Sequence, residues 1–271
     1  MPSVFRSALL VAVVGGCLLS SSASAQSQSS AGGGSTAAYP AAPGFDAAGS
    51  DPRAVAVADR VMRAMGGYEA WRKARYFAWG FFGGQYQIWD KYTGDFHWEK
   101  DGMVANYNLG TKQGHVYSGG KDVSATPAGQ KTLSSLTSIW INNAYWLLMP
   151  FKLKDSGVTL RYKGPGTTMD GAQADVLRLT FKNVGDTPEN GYEVFVSRAS
   201  GLVEEWAYFA KATDPQPAFR RRWNGYSPHA GLLLAAGRSE AAKPALLDNV
   251  TLVQTLPNGL MSSTTPVARL K

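Results

Sequence analysis

Cysteine is almost missing from this chain: one occurs, Cys17, in 271 residues. A disulfide scaffold and a Cys-based zinc finger are thereby excluded. Histidine is scarce as well. His97, His115 and His229 are the only three, none at metal-ligand spacing from another, so a His-rich metal site is not expected. Charged residues make up only 17%, and no run of five Lys/Arg occurs. The densest basic cluster, Arg220-Arg221-Arg222, has no nucleic-acid motif beside it, so a nucleic-acid partner is not expected. The net charge of +7 reads as solubility and mild attraction to anionic surfaces. Catalytic signatures are missing too. There is no G-x-S-x-G, no H-E-x-x-H, no phosphate loop and no dinucleotide glycine pattern. No cofactor and no enzymatic activity are expected.

What is present begins with an export signal. Arg6 is the only charge in the first 45 residues, and the apolar run Ala8–Val14 is too short to span a bilayer. Two processing routes fit. Ala23-Ser24-Ala25 matches the small-x-small rule for cleavage before Gln26, which makes 1–25 a signal peptide. Val14-Gly15-Gly16-Cys17 matches a bacterial lipobox, which makes 1–16 a lipoprotein signal and Cys17 a lipidated membrane tether. Either route places the protein outside the cytoplasm, in the periplasm or at the outer membrane. Residues 26–50 are rich in Ser, Gly, Ala and Pro and read as a flexible linker.

From Asp51 to residue 271 a single domain is expected. Asp51-Pro52 gives an N-cap with Pro at the first helical position. Ala54, Val57, Ala58, Val61, Met62 and Met65 then recur with helical spacing up to Gly66-Gly67. After Arg75 the period switches to two, as in Phe77/Trp79/Phe81 and Phe96/Trp98, with Gly-containing turns between runs. Thr132–Leu148 interrupts this with a helical stripe that Pro150 ends. The expected fold is mainly β with α: a curled antiparallel sheet, a half-barrel of about ten or eleven strands, with an N-terminal helix and an inserted lid helix. Two helical segments are too little to cover so large a flat sheet, which is why curling is expected.

A curled sheet of this size encloses either its own side chains or one apolar ligand. Aromatic residues lean toward the ligand. Trp79, Trp98, Trp140, Trp146, Trp206 and Trp223 fall in strand-like segments or in the inserted helix, where their faces suit acyl chains. The helix exit adds Met149 and Phe151. In the expected strand Ala218–Tyr226, Arg221 shares a face with Phe219 and Trp223 by period two; if that face is inward, Arg221 needs a partner, either Glu205 or a ligand phosphate or carboxylate, and otherwise it is an exposed Arg. His97, beside Asp95 and Glu99, reads as a solvated polar face. Ser227 and His229 read as part of a turn.

Three segments carry a resemblance: Trp89-Asp90-Lys91-Tyr92-Thr93-Gly94, the stretch Ile139–Asp155, and the strand-turn-strand Tyr192–Trp206. With the leader, the helix ending in Gly-Gly and the helix inserted mid-sheet, the chain resembles the LolA/LolB-type lipoprotein-carrier fold over about Asp51 to Leu256. Within that group it is similar to an uncharacterised branch of exported bacterial proteins. No carrier residue maps one by one onto this chain. What the resemblance implies is an apolar cavity under a helical lid; the expected protein is a monomeric envelope protein binding a lipid or acylated ligand. The competing expectation is a non-catalytic exported β domain with a packed core, whose surface Trp contact a glycan or a protein.

Overall fold

The computed structural model describes residues 39–240 and 245–271. Cys17 and the Ala23–Gln26 cleavage motif lie outside them. The described chain is mainly β with α, as the alternation predicts. Helix α1 (Pro52–Ala64) and the short α2 (Tyr68–Lys73) come first. Six strands follow: β1 (Tyr76–Phe81), β2 (Gln85–Asp90), β3 (Asp95–Lys100), β4 (Met103–Asn108), β5 (Gln113–Ser118) and β6 (Lys121–Asp122). Helix α3 (Pro127–Leu148) is inserted next and runs into a 3-10 turn at Met149–Lys152. Strands resume with β7 (Val158–Thr167), β8 (Gln173–Phe181), β9 (Gly191–Ser197), β10 (Val203–Phe209) and β11 (Phe219–Arg222). The last are β12 (Asn224–His229), β13 (Leu232–Gly237) and β14 (Thr251–Val253).

The described strands number fourteen, more than the ten or eleven expected. They form a seven-stranded sheet in the order β14-β1-β2-β3-β4-β5-β6, a five-stranded sheet β11-β10-β9-β8-β7, and the β12-β13 hairpin. Every pairing among them is antiparallel, and the sheet is curled without closing. Two of the extra strands, β5 and β6, offer little apolar signal: only Val116 is buried in them. Another comes from a break. The expected strand Ala218–Tyr226 splits at Trp223, whose amide donates to the Glu204 carbonyl at 2.8 Å while the chain turns to pair with β13.

Helix α1 buries Ala54, Val57, Ala58, Val61 and Met62, the expected stripe, within the main core. Fully burying each Val or Met side chain contributes about 1.5–3 kcal/mol. Asp51 does not cap α1 through its side chain. Its carboxylate instead accepts from the Tyr162 amide and from Arg161, both at 2.8 Å, and so pins the helix start to β7. Gly66 ends α1 with φ +112°, and a Cβ there would come within 2.1 Å of the Gly231 carbonyl oxygen. That close approach seats the β12–β13 turn on the helix end.

The linker expectation is corrected over its last part. Residues 39–50 pack on the domain rather than standing off it. Tyr39 is buried, and its hydroxyl donates to the Phe151 carbonyl at 2.7 Å. Lys154 lies over the Tyr39 ring, 4.5 Å from its centre. The Asp46 amide donates to the Val158 carbonyl at 3.0 Å, covering the start of the β7 edge. The C-terminal residues cover the outer face of the other sheet: Leu256, Leu260, Met261, Val267 and Leu270 pack on Ala78, Tyr86 and Ile88.

That cover corrects the reading of His97. The residue is not solvated but completely buried. Its ring meets Asn106 at 2.7 Å and Glu99 at 3.0 Å. Glu99 also accepts from Arg269 at 2.6 Å and from the Val267 amide at 2.7 Å. Burial works to raise the Glu99 pKa, but the bonds from His97, Arg269 and Val267 outweigh it and hold the carboxyl below its usual range. No described helix is long and apolar enough to cross a membrane.

Candidate functional site: an aromatic groove along the inserted helix

Helix α3 meets both the seven-stranded and the five-stranded sheet. Its N-cap is Thr126, whose hydroxyl accepts from the Gly129 amide at 3.1 Å. One flank packs tightly on the seven-stranded sheet, where Leu136 joins Phe96, Trp98, Ala105, Tyr107 and Val116. The same flank carries a buried polar contact. Asn143 donates to Gln85 at 3.2 Å and to Gln87 at 3.1 Å, and the Trp98 indole donates to Gln85 at 2.8 Å.

The other flank meets the five-stranded sheet through rings, Tyr145 on Tyr192 at 5.2 Å and Trp146 on Trp206 at 5.0 Å between centres. A groove of about 790 Å³ runs between them. From α3 it is lined by Trp140, Ile141, Ala144, Tyr145 and Trp146. From the sheet come Val158, Phe181, Tyr192, Trp206, Tyr208 and Phe219. Lys152, Asp155, Asp186, Thr187 and Asn190 form a polar rim. The volume falls within the roughly 300–1,000 Å³ of small-molecule sites.

Strand register explains the sheet wall. Leu179 pairs with Tyr192, Tyr192 with Tyr208, and Tyr208 with Phe219, so these positions share one face. The aromatics meet at steep angles as well as in stacks. Trp146 meets Trp206 edge-on at 5.0 Å between ring centres, while Tyr192 stacks flat on Trp206, also at 5.0 Å. Edge-on and stacked rings at these distances are favourable contacts. Burial raises the phenol pKa of Tyr145 and Tyr192 well above normal, so both stay neutral. Two indole N–H groups on the groove, those of Trp140 and Trp206, are buried without an acceptor.

Of the site residues expected from sequence, Trp140, Trp146 and Trp206 line the groove. Arg221 does not line the groove itself; its guanidinium lies beside it, 5.5 Å from the ring centre of the lining residue Trp146. The others are corrections. Trp79, Met149, Phe151 and Trp223 are buried in the main core, filled in by neighbours such as Trp71, which stacks on Phe151 at 4.6 Å. Trp98 sits on the tight flank of α3. Cys17 lies outside the described residues. Arg221 does point to the groove side, but its carboxylate is Glu240 at 2.7 Å. Glu205 is on the opposite face and pairs with Arg220. Ser227 and His229 are also corrected: they lie on β12, not in a turn, with Oγ and Nε2 2.9 Å apart.

Sequence reasoning passed over Phe181, Tyr192, Tyr208 and Phe219 as site residues. The signal was there in part: Tyr192 alternates with Val194, and Trp206 with Tyr208. Which face met the helix needed the register. Arg238 was missed altogether. It is completely buried, and its Nε donates to the Trp146 carbonyl at 2.8 Å at the C-terminal end of α3. No model of a known protein family matches this chain, and no curated protein is detectably similar to it.

Proposed function

We propose that this is an exported envelope protein that binds an apolar or amphiphilic ligand, a lipid or acyl chain, in the groove beside α3, without catalysing a reaction. The observation that carries this reading is the 790 Å³ groove walled by aromatic faces from α3 and from β8 to β11. Partitioning supplies the affinity: each Å² of apolar surface leaving water contributes about 25 cal/mol. The resemblance to the LolA/LolB-type carriers points the same way, and a lipidated Cys17 would hold the groove near a membrane. The glycan- or protein-contact alternative has less to support it, because four of the eight Trp are buried and the other four only partly exposed.

Titration with a fluorescent fatty acid tests the reading. Saturable uptake is expected, weakened about tenfold or more by Ile141→Trp, which fills the groove from its half-buried helix side. Trp98→Phe, on the tight flank, is expected to leave uptake unchanged. No saturable uptake, or uptake indifferent to Ile141→Trp, overturns it. Native mass spectrometry of protein purified from a bacterial envelope is expected to show co-purifying lipid.

A further inference from the structure

The three consecutive arginines of β11 are treated differently. Arg220 meets Glu205, whose side chain is 1% exposed and also accepts from the Met169 amide at 2.6 Å. Arg222 grips the Asp170 carboxylate through Nε and Nη2, at 2.9 and 2.7 Å. Both point to the outer face and both are tied to carboxylates by more than one bond. Arg221 points to the groove side, where its guanidinium lies 5.5 Å from the centre of Trp146 and 5.2 Å from that of Phe219. Its Nη1 donates to the Arg238 carbonyl at 3.2 Å, and its buried Nε has no acceptor. Its one carboxylate, Glu240, has a side chain that is 36% exposed.

Directly behind stands Arg238. Its guanidinium is 3.4 Å from the Trp223 ring centre, and Trp223 in turn meets Trp206 of the groove wall edge-on at 5.6 Å. Among the described residues no carboxylate lies within ion-pair distance of Arg238, and its Nη2 has no acceptor. Burial presses its pKa down to about 9, which leaves it charged at neutral pH. Arg238 is buried and does not line the groove, but its charge adds to that of Arg221, so two guanidinium groups stand against one acid at the β11 end. Toward the β7 edge the balance reverses: Lys152 pairs with Asp155, and Asp186 adds a further acid. A low-dielectric groove with this asymmetry orients an amphiphile, anion toward β11. An Arg fork matches a carboxylate or phosphate in two-point contact, and the Arg221 side chain, 22% exposed, is open to a ligand anion where it now meets Glu240.

Resting on the groove reading above, we propose that the site selects amphiphiles with a carboxylate or phosphate monoester headgroup, received by Arg221 in place of Glu240, with the chain lying along α3. The shared chemistry is an anion on an apolar tail.

Fluorescence titration of the full chain with cis-parinaric acid and with its uncharged methyl ester tests this. Wild type is expected to prefer the acid by about tenfold. Arg221→Gln is expected to abolish that preference while ester binding stays as it was. Glu240→Gln is expected to strengthen acid binding, because the competing carboxylate is gone. Arg222→Gln, on the outer face, is expected to keep the preference. Equal binding of acid and ester by wild type overturns the headgroup assignment and leaves the groove reading standing. Failure of both ligands to bind overturns both. Inorganic phosphate separates the sources: displacement of the ester as well as the acid by phosphate alone would mean a free-anion site and overturn the amphiphile assignment.

Discussion

The two flanks of α3 meet two sheets of the same curl with opposite results. Against the seven-stranded sheet, Leu136 and its neighbours close on Phe96, Trp98, Ala105 and Val116. Against the five-stranded sheet, Tyr145 and Trp146 meet Tyr192, Trp206 and Phe219 ring to ring, 5.0–6.1 Å between centres, and beside these contacts about 790 Å³ stays open. The difference lies in what faces what. On the closed flank a small Ala105 admits the helix, and Asn143 locks its approach with hydrogen bonds to Gln85 and Gln87. On the open flank large rings face large rings, several edge-on, and among the described residues no side-chain hydrogen bond joins α3 to the five-stranded sheet. Apolar content alone does not decide between core and cavity. The shape and stiffness of the facing side chains do.

This comparison can be broken by substitution. The largest effect is expected for Trp206→Ala. Trp206 is 1% exposed and touches both groove and core, so its loss should cost about 3–5 kcal/mol, read as a lower denaturation midpoint in urea. A paired truncation is sharper. Leu136→Ala on the closed flank should cost about 3 kcal/mol, and Ile141→Ala on the open flank under about 1 kcal/mol. Equal costs would mean that the two flanks are packed alike.

Two further expectations concern how each sheet is held. On the five-stranded side, Asp175 accepts from Arg60 at 2.7 Å, from the Tyr162 hydroxyl at 2.8 Å and from Arg198 at 3.0 Å. Asp175→Asn should cost about 2 kcal/mol by calorimetry, less than a fully buried pair because both arginines are partly solvated. On the seven-stranded side the C-terminal cover depends on Glu99. Its folded pKa is below the ordinary carboxylate value, so its stabilisation is present above that value and lost as pH falls through the folded one. The amides of Val267 and Leu270 should therefore lose hydrogen-exchange protection below about pH 4, a change on the order of 1 kcal/mol. The groove flank should not respond over that step.

Much of this architecture was legible in the sequence because alternation and helical stripes report burial directly. The strands Phe77–Phe81 and Phe96–Trp98 and the stripe from Leu136 to Leu147 needed nothing else. What stayed hidden depends on register or on distant partners. Period two put Arg221 on the correct face, yet its carboxylate came from Glu240, because Glu205 shares the outer face with Arg220. Tyr39, alone among Ala, Pro and Gly, gave no pattern; its burial rests on Phe151 and Lys154, more than a hundred residues away. Arg238 has the same parity as Leu232 and Leu234, so continuing the alternation past β13 would have placed it inward. Five of the predicted aromatic and Met positions proved to be core because a sequence marks a side chain as inward without saying which inward surfaces touch.

The most direct test of an acyl site on one flank only is photolabelling with a diazirine fatty acid, with the adducts mapped by mass spectrometry. Saturable labelling confined to Tyr145, Tyr192, Trp206 and Phe219 and their neighbours is the expected result. Adducts clustered at Phe96, Trp98 and Leu136, or labelling that never saturates, would contradict it.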